Sequence, residues 1–154
     1  MIAFYQKLIL PNGSVNLIPM HYFFAGGDDR EYLNNLYFMK HNENVRVQNE
    51  PLTLEETMKL FQDSDVCYGM RFHSVVFQTI LNGKNFVLDY TEPRKGKIFG
   101  FVNEVNFPML RYVNIQESDI PDYFIKKDVD PFYIDINSLS RKLETYNNVL
   151  KDLI

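Results

Sequence analysis

Arg71 and His73 stand two residues apart just beyond Gly69, where the apolar run Val66-Cys67-Tyr68 gives way to an amphipathic stretch starting at Phe72. The pattern reads as a β-strand ending in a cationic corner where a helix begins. In open α/β sheets the carboxyl ends of strands face a ligand crevice, and helix N-termini offer N–H groups and partial positive charge to anions. A phosphorylated or carboxylated ligand is the expected occupant. The planar fork of Arg71 suits either anion, although a surface salt bridge would also account for it. Imidazole titrates near neutrality, so a histidine at this corner could move a proton; the alternative for His73 is a buried ring satisfied by a backbone hydrogen bond.

Other polar residues are weaker candidates. Lys95 and Lys97 flank Gly96 just beyond the apolar run that ends at Asp89-Tyr90, so at least one could reach the same crevice. His21 closes an earlier apolar run and could point there too, whereas His41 suits a helix end. Asp28-Asp29-Arg30 follows Gly26-Gly27, and a helix cap with complementary charges accounts for Asp28. The single cysteine, Cys67, lies inside the strand-like run and reads as a small buried hydrophobe rather than a nucleophile. The sequence contains no GxGxxG, Walker loop, CxxC pair or HExxH, so neither zinc chemistry nor P-loop nucleotide hydrolysis has support, and no metal or cofactor is expected.

The elements that would position these residues alternate through the first two thirds of the chain. Residues 1–10 suit a helix closed by Pro11-Asn12-Gly13, and 15–20 suit a strand. Asp28 can cap a helix carrying Tyr32, Leu33, Leu36, Tyr37 and Met39, and Val45-Arg46-Val47 suits a second strand. Thr53 with Glu56 has the form of a capping box ahead of Leu54, Met58 and Phe61. A strand near 65–70, a helix near 72–82 stopped by Gly83, and a strand at Phe86-Val87-Leu88-Asp89-Tyr90 follow. This succession favours a parallel sheet with right-handed crossovers. Beyond residue 91 helices fit 97–105, 122–127 and 138–153. The chain opens on a helix where an α/β half usually opens on a strand, so a preceding strand, and a preceding domain with it, are expected to be missing.

The 154 residues suit a single domain, and 45% hydrophobic content supplies a core. A net charge of −4 gives no general attraction to nucleic acid or acidic membranes, so an anion site must be local. The N-terminus, interrupted by Gln6 and Lys7, does not read as a signal peptide, and no apolar run approaches the roughly 20 residues of a membrane span. A soluble, cytoplasmic protein is expected, with peripheral attachment to the inner face of the membrane left open.

The blocks Ser64-Asp65-Val66-Cys67-Tyr68-Gly69-Met70-Arg71-Phe72-His73-Ser74, Asn85-Phe86-Val87-Leu88-Asp89-Tyr90 and Gly96-Lys97-Ile98 resemble, in order and spacing, the polysaccharide pyruvyl transferase family. Leu17-Ile18-Pro19 and Gly27-Asp28-Asp29-Arg30 are also similar to its pattern, and the likeness runs from about residue 5 to 105. The resemblance implies a Rossmann-like three-layer α/β domain with a mostly parallel sheet, similar to the C-terminal, donor-binding half of a GT-B fold. Residues 106–154 would form a helical tail packed on it. It implies phosphoenolpyruvate as donor, a sugar or polysaccharide-precursor acceptor held by the missing N-terminal domain, and transfer of pyruvate to two hydroxyls as a ketal. It maps donor contact onto Arg71 and His73, with Lys97 auxiliary; the proton transfers that ketal formation needs make His73 the general acid/base candidate, and Ser74 and Asp28 join Arg71 and Lys97 as substrate-binding candidates. The isolated chain is then expected to turn over weakly or not at all. Two rivals remain: a GT-B glycosyltransferase half using a nucleotide sugar, and a noncatalytic remnant or partner domain.

Overall fold

The computed structural model describes residues 13–22, 27–39, 42–125, 128–137 and 140–141. The helices expected over 1–10 and, but for residues 140 and 141, over 138–153 lie outside them. Along the described chain run β1 (Val15–Leu17), α1 (Asp29–Met39), β2 (Val45–Val47), α2 (Leu54–Asp63), β3 (Cys67–Gly69), α3 (Phe72–Leu81), β4 (Asn85–Asp89), α4 (Lys97–Glu104) and β5 (Tyr112–Asn114), with 3-10 turns at Met109–Arg111 and Asp122–Ile125. Every strand pairing among them is parallel. β1 pairs with β2 in the register Val15↔Val45. β4 lies between β3 and β5, with Gly69 opposite Val87 and Asp89 opposite Asn114. This is a Rossmann-like, three-layer α/β domain, as its alternating elements lead one to expect.

β4 organises the interior. All five of its residues are buried, the signature of a parallel strand covered on both faces rather than an alternating one with a wet side. Its side chains divide by parity. Val87 packs with Val75 of α3 and Ile98 and Val102 of α4 on one face. Phe86 and Leu88 pack with Val113 of β5 and Phe124 of the second 3-10 turn on the other. A smaller cluster joins Leu36 of α1 to Val45 of β2.

Local chemistry fixes the helix ends. Glu56 N–H donates to the Thr53 hydroxyl at 3.2 Å and Thr53 N–H donates to the Glu56 carboxylate at 2.8 Å, so both halves of the capping box form. Those bonds hold the Glu56 carboxyl below its ordinary range. α3 stops at Gly83, which takes a left-handed φ of 71° that costs a residue without Cβ little. There the Gly83 carbonyl accepts Phe132 N–H at 3.0 Å and Arg111 Nη1 at 3.2 Å, tying the returning chain to the helix end. β1 is shorter than expected, ending before Pro19. The helix foreseen over 122–127 is a 3-10 turn at Asp122–Ile125. β5 has no counterpart in the sequence reading.

Candidate functional site

Gly69, the last residue of β3, lies against α3: a Cβ there would stand 2.7 Å from Gln78 Oε1 and 2.8 Å from Val75 Cγ2. Only glycine allows that approach, and it sets where the chain turns into the helix. Arg71 is the N-cap, in an extended conformation with φ −88° and ψ 143°. Its carbonyl accepts Val75 N–H at 3.0 Å and the Ser74 hydroxyl at 2.7 Å. Ser74 is buried, so its hydroxyl braces the turn from within.

The Arg71 guanidinium gathers three strand ends. Its Nη2 pairs with Asp29 Oδ1 and its Nε donates to Asp29 Oδ2 at 3.3 Å. Asp29 opens α1, accepts Met20 N–H at 3.1 Å on the same Oδ2, and donates its own N–H to the His21 carbonyl at 3.0 Å. The remaining nitrogen, Nη1, donates to the Tyr90 hydroxyl at 3.3 Å, just past the end of β4. Segments following β1, β3 and β4 therefore meet at one side chain. The carboxylate beside it pushes the guanidinium pKa upward, and Arg71 stays cationic. A carboxylate that grips the Nε side of a guanidinium leaves the two-nitrogen end for a ligand, and the side chain retains 36% exposure.

His73 is exposed on the first turn of α3, its ring edge-on to Phe72 at 5.6 Å between centroids. This excludes the buried, structurally satisfied histidine. Phe72 in turn meets Phe101 of α4 edge-on at 6.2 Å, holding the two helices side by side. Lys97 is the exposed first residue of α4. Its position depends on the Asp89 carboxylate, which is fully buried and accepts Thr91 N–H at 2.9 Å, the Thr91 hydroxyl at 2.7 Å and the Tyr112 hydroxyl at 2.8 Å. Burial, with Asp89 beside it, drives the Tyr112 phenol pKa upward. Gly96, which caps α4, lies so close that a Cβ would overlap the Thr91 hydroxyl.

Arg71 and His73 thus follow the carboxyl end of β3 and Lys97 follows that of its parallel neighbour β4, with no hydrogen bond or ion pair joining them among the described residues. Lys95 pairs instead with Glu92. Asp28 grips Arg30 through Nε at 3.0 Å and Nη2 at 2.5 Å and caps the Arg30 N–H at 2.9 Å, which lowers its pKa. His21 Nδ1 lies 2.7 Å from the Gly27 carbonyl. Cys67 is buried, its thiol pushed up to about 11 by desolvation. Two clefts, of about 200 Å³ at Met20, Tyr22 and Leu52 and about 450 Å³ at Leu110, Tyr123 and Asp128, are lined by neither Arg71 nor His73. The cationic corner is an open edge. Sequence reasoning passed over Asp29 and Tyr90, though Tyr90 carries the same signal as Arg71, a polar side chain just past a strand's carboxyl end.

Parallel strands with an arginine, a histidine and a lysine in the segments beyond their carboxyl ends define a Rossmann-like domain with a cationic corner. Comparison with known families then specifies which: a model of the family described as polysaccharide pyruvyl transferase matches residues 1–92, and the chain belongs to that family. The matched stretch holds Arg71, His73 and Tyr90, while Lys97 lies beyond it. No curated protein and no solved structure matches the chain. Among the described residues no helix is long and apolar enough to cross a membrane, and no group of three or more His, Cys, Asp or Glu could hold a metal ion.

Proposed function

We propose that this chain is the donor-binding half of a pyruvyl transferase that moves pyruvate from phosphoenolpyruvate onto two hydroxyls of a sugar acceptor as a ketal. The observation that carries the reading is the Arg71 corner: a guanidinium clamped on its Nε side by Asp29, open at its other end, with an exposed His73 on the same edge, in a chain of this family. Arg71 holds an anionic group of the donor. Protonation of the enol methylene makes an oxocarbenium-like C2; the C2–O bond to phosphate breaks and two acceptor oxygens add there. Of the two hydroxyl protons released, one replaces that given to the methylene and one leaves with phosphate. His73 serves as general acid/base for one of these transfers, a role worth roughly 10²–10⁴-fold in rate. Lys97 is an auxiliary cation, Ser74 braces the Arg71 turn, and Asp28 fixes the loop carrying Asp29. The acceptor is held by a second domain of a GT-B-like arrangement. A cytoplasmic location fits the single reduced, buried thiol.

The test is binding of phosphoenolpyruvate to this chain, followed by NMR and calorimetry, for wild type, Arg71→Ala and His73→Ala. Saturable binding that Arg71→Ala weakens strongly is expected, with His73 resonances moving on titration. Tighter binding of a nucleoside diphosphate sugar than of phosphoenolpyruvate would replace the donor, and absence of binding to either would sink the assignment of a donor half.

A further inference from the structure

Tyr90 meets the open end of Arg71. Its phenol oxygen accepts Nη1–H at 3.3 Å, and its ring centroid lies 5.8 Å from the guanidinium carbon. A phenol that accepts from a guanidinium still has one proton to donate. No group among the described residues accepts it, and the residue is 39% exposed. The hydroxyl is also delivered from a fixed point. Its residue follows the buried Asp89, and its carbonyl accepts Gln116 Nε2 at 2.6 Å. Donors held in place before the ligand arrives cost little to reorganise on binding.

We propose that Tyr90 is a ligand-contacting residue: its hydroxyl donates to the same anionic oxygen group, phosphoryl or carboxylate, that the unused Nη hydrogens of Arg71 hold. This rests on the reading of the Arg71 corner as the donor site. The charge arrangement gives the hydroxyl its importance. Paired with Asp29, Arg71 adds little net charge to the corner, so affinity depends on the number and aim of donors more than on attraction at a distance. A neutral O–H adds one donor without drawing the Asp29 carboxylate away from its partner. It also sets geometry, because an anion bridging Nη1 and the phenol must present two oxygens side by side.

The experiment titrates phosphoenolpyruvate, inorganic phosphate and pyruvate into wild type, Tyr90→Phe, Arg71→Ala and the double variant. Tyr90→Phe keeps the ring beside Arg71 and loses the hydroxyl with its long, solvent-exposed bond from Nη1, so its melting temperature should stay close to wild type. It is expected to weaken phosphoenolpyruvate binding roughly 10- to 150-fold, the worth of one hydrogen bond to a charged group. In the Arg71→Ala background the same change should add nothing, the signature of two groups acting on one ligand. Loss shared with inorganic phosphate assigns the phosphoryl end, and loss shared with pyruvate the carboxylate end. Wild-type affinity of Tyr90→Phe for all three, with Arg71→Ala weakened, overturns the role of Tyr90 and leaves the donor site standing. An Arg71→Ala chain that binds like wild type, or a wild type that binds none of them, overturns both.

Discussion

At the scale of single residues, what distinguishes this corner is the shape of its cation. Arg71 can pair with Asp29 along one edge and present another because a guanidinium carries five donors in a plane, whereas an ammonium is a point charge that settles on the nearest carboxylate. Lysine at position 71 would satisfy Asp29 and leave nothing aimed outward. We expect Arg71→Lys, with formal charge unchanged, to lose about tenfold in phosphoenolpyruvate affinity, or ~1.4 kcal/mol, by titration calorimetry. Equal affinity would show that charge alone makes the site. The ion pair itself adds little to the fold, since partly exposed pairs contribute about 0.2–1 kcal/mol, so the variant should melt close to wild type. The pairing of Arg71 with Asp29 was not legible in the sequence: 42 positions separate them, and no periodicity reports which carboxylate a cation will meet. That Arg71 faces an edge was legible, because glycine, arginine and the onset of helical periodicity occur within the four residues Gly69 to Phe72.

Whole elements were legible where one residue enforces a geometry. Thr53 and Glu56 announced the start of α2, and Gly83 the end of α3, because each solves a local hydrogen-bonding or dihedral problem that the sequence states directly. β5 was hidden: it has three residues, one of them Asn114, and only its pairing with β4 makes it a strand. Two experiments act at this scale. The hydrogen bonds from Thr53 hold the folded pKa of the Glu56 carboxyl below the ordinary 4.5. Its stabilising effect is therefore fully present above that value and is lost as pH falls through the lower folded pKa. Wild type should exceed Glu56→Gln in stability at pH 6, and denaturant melts should show the gap closing once the pH drops below about 4.5. Beyond β4, Gly96→Ala would drive a methyl into the Thr91 hydroxyl that Asp89 holds. Overpacking of this kind costs about 1–3 kcal/mol, or roughly 2–12 °C in melting temperature for a chain of this size. Combining it with Thr91→Ala should cost less than the two changes summed, because the alanine makes room for the methyl; strict additivity in calorimetric melts would mean that the methyl is accommodated elsewhere.

For the whole molecule, the family match and the folding unit have different ends. The match stops at residue 92, just past β4, yet β4 is the most buried strand and much of its cover comes later. Ile98, Val102, Val105 and Phe107 complete one face, and Val113 and Phe124 the other. Burying each such side chain stabilises by about 1.5–3 kcal/mol, together roughly 9–18 kcal/mol as an upper bound. That is comparable to the entire stability of an ordinary domain, about 5–15 kcal/mol. β4 would also become an edge strand with an unpaired ladder, open to association. A chain ending at residue 92 should therefore lack a cooperative melt, bind a hydrophobic dye and fail to bind phosphoenolpyruvate, although it retains Arg71, His73 and Tyr90. Extending it through residue 125 restores α4, β5 and Phe124 and should recover a cooperative transition by circular dichroism. A 1–92 chain that melts cooperatively would mean that α4 and β5 pack onto a core already complete without them, and that the Arg71 corner is positioned by the matched segment alone.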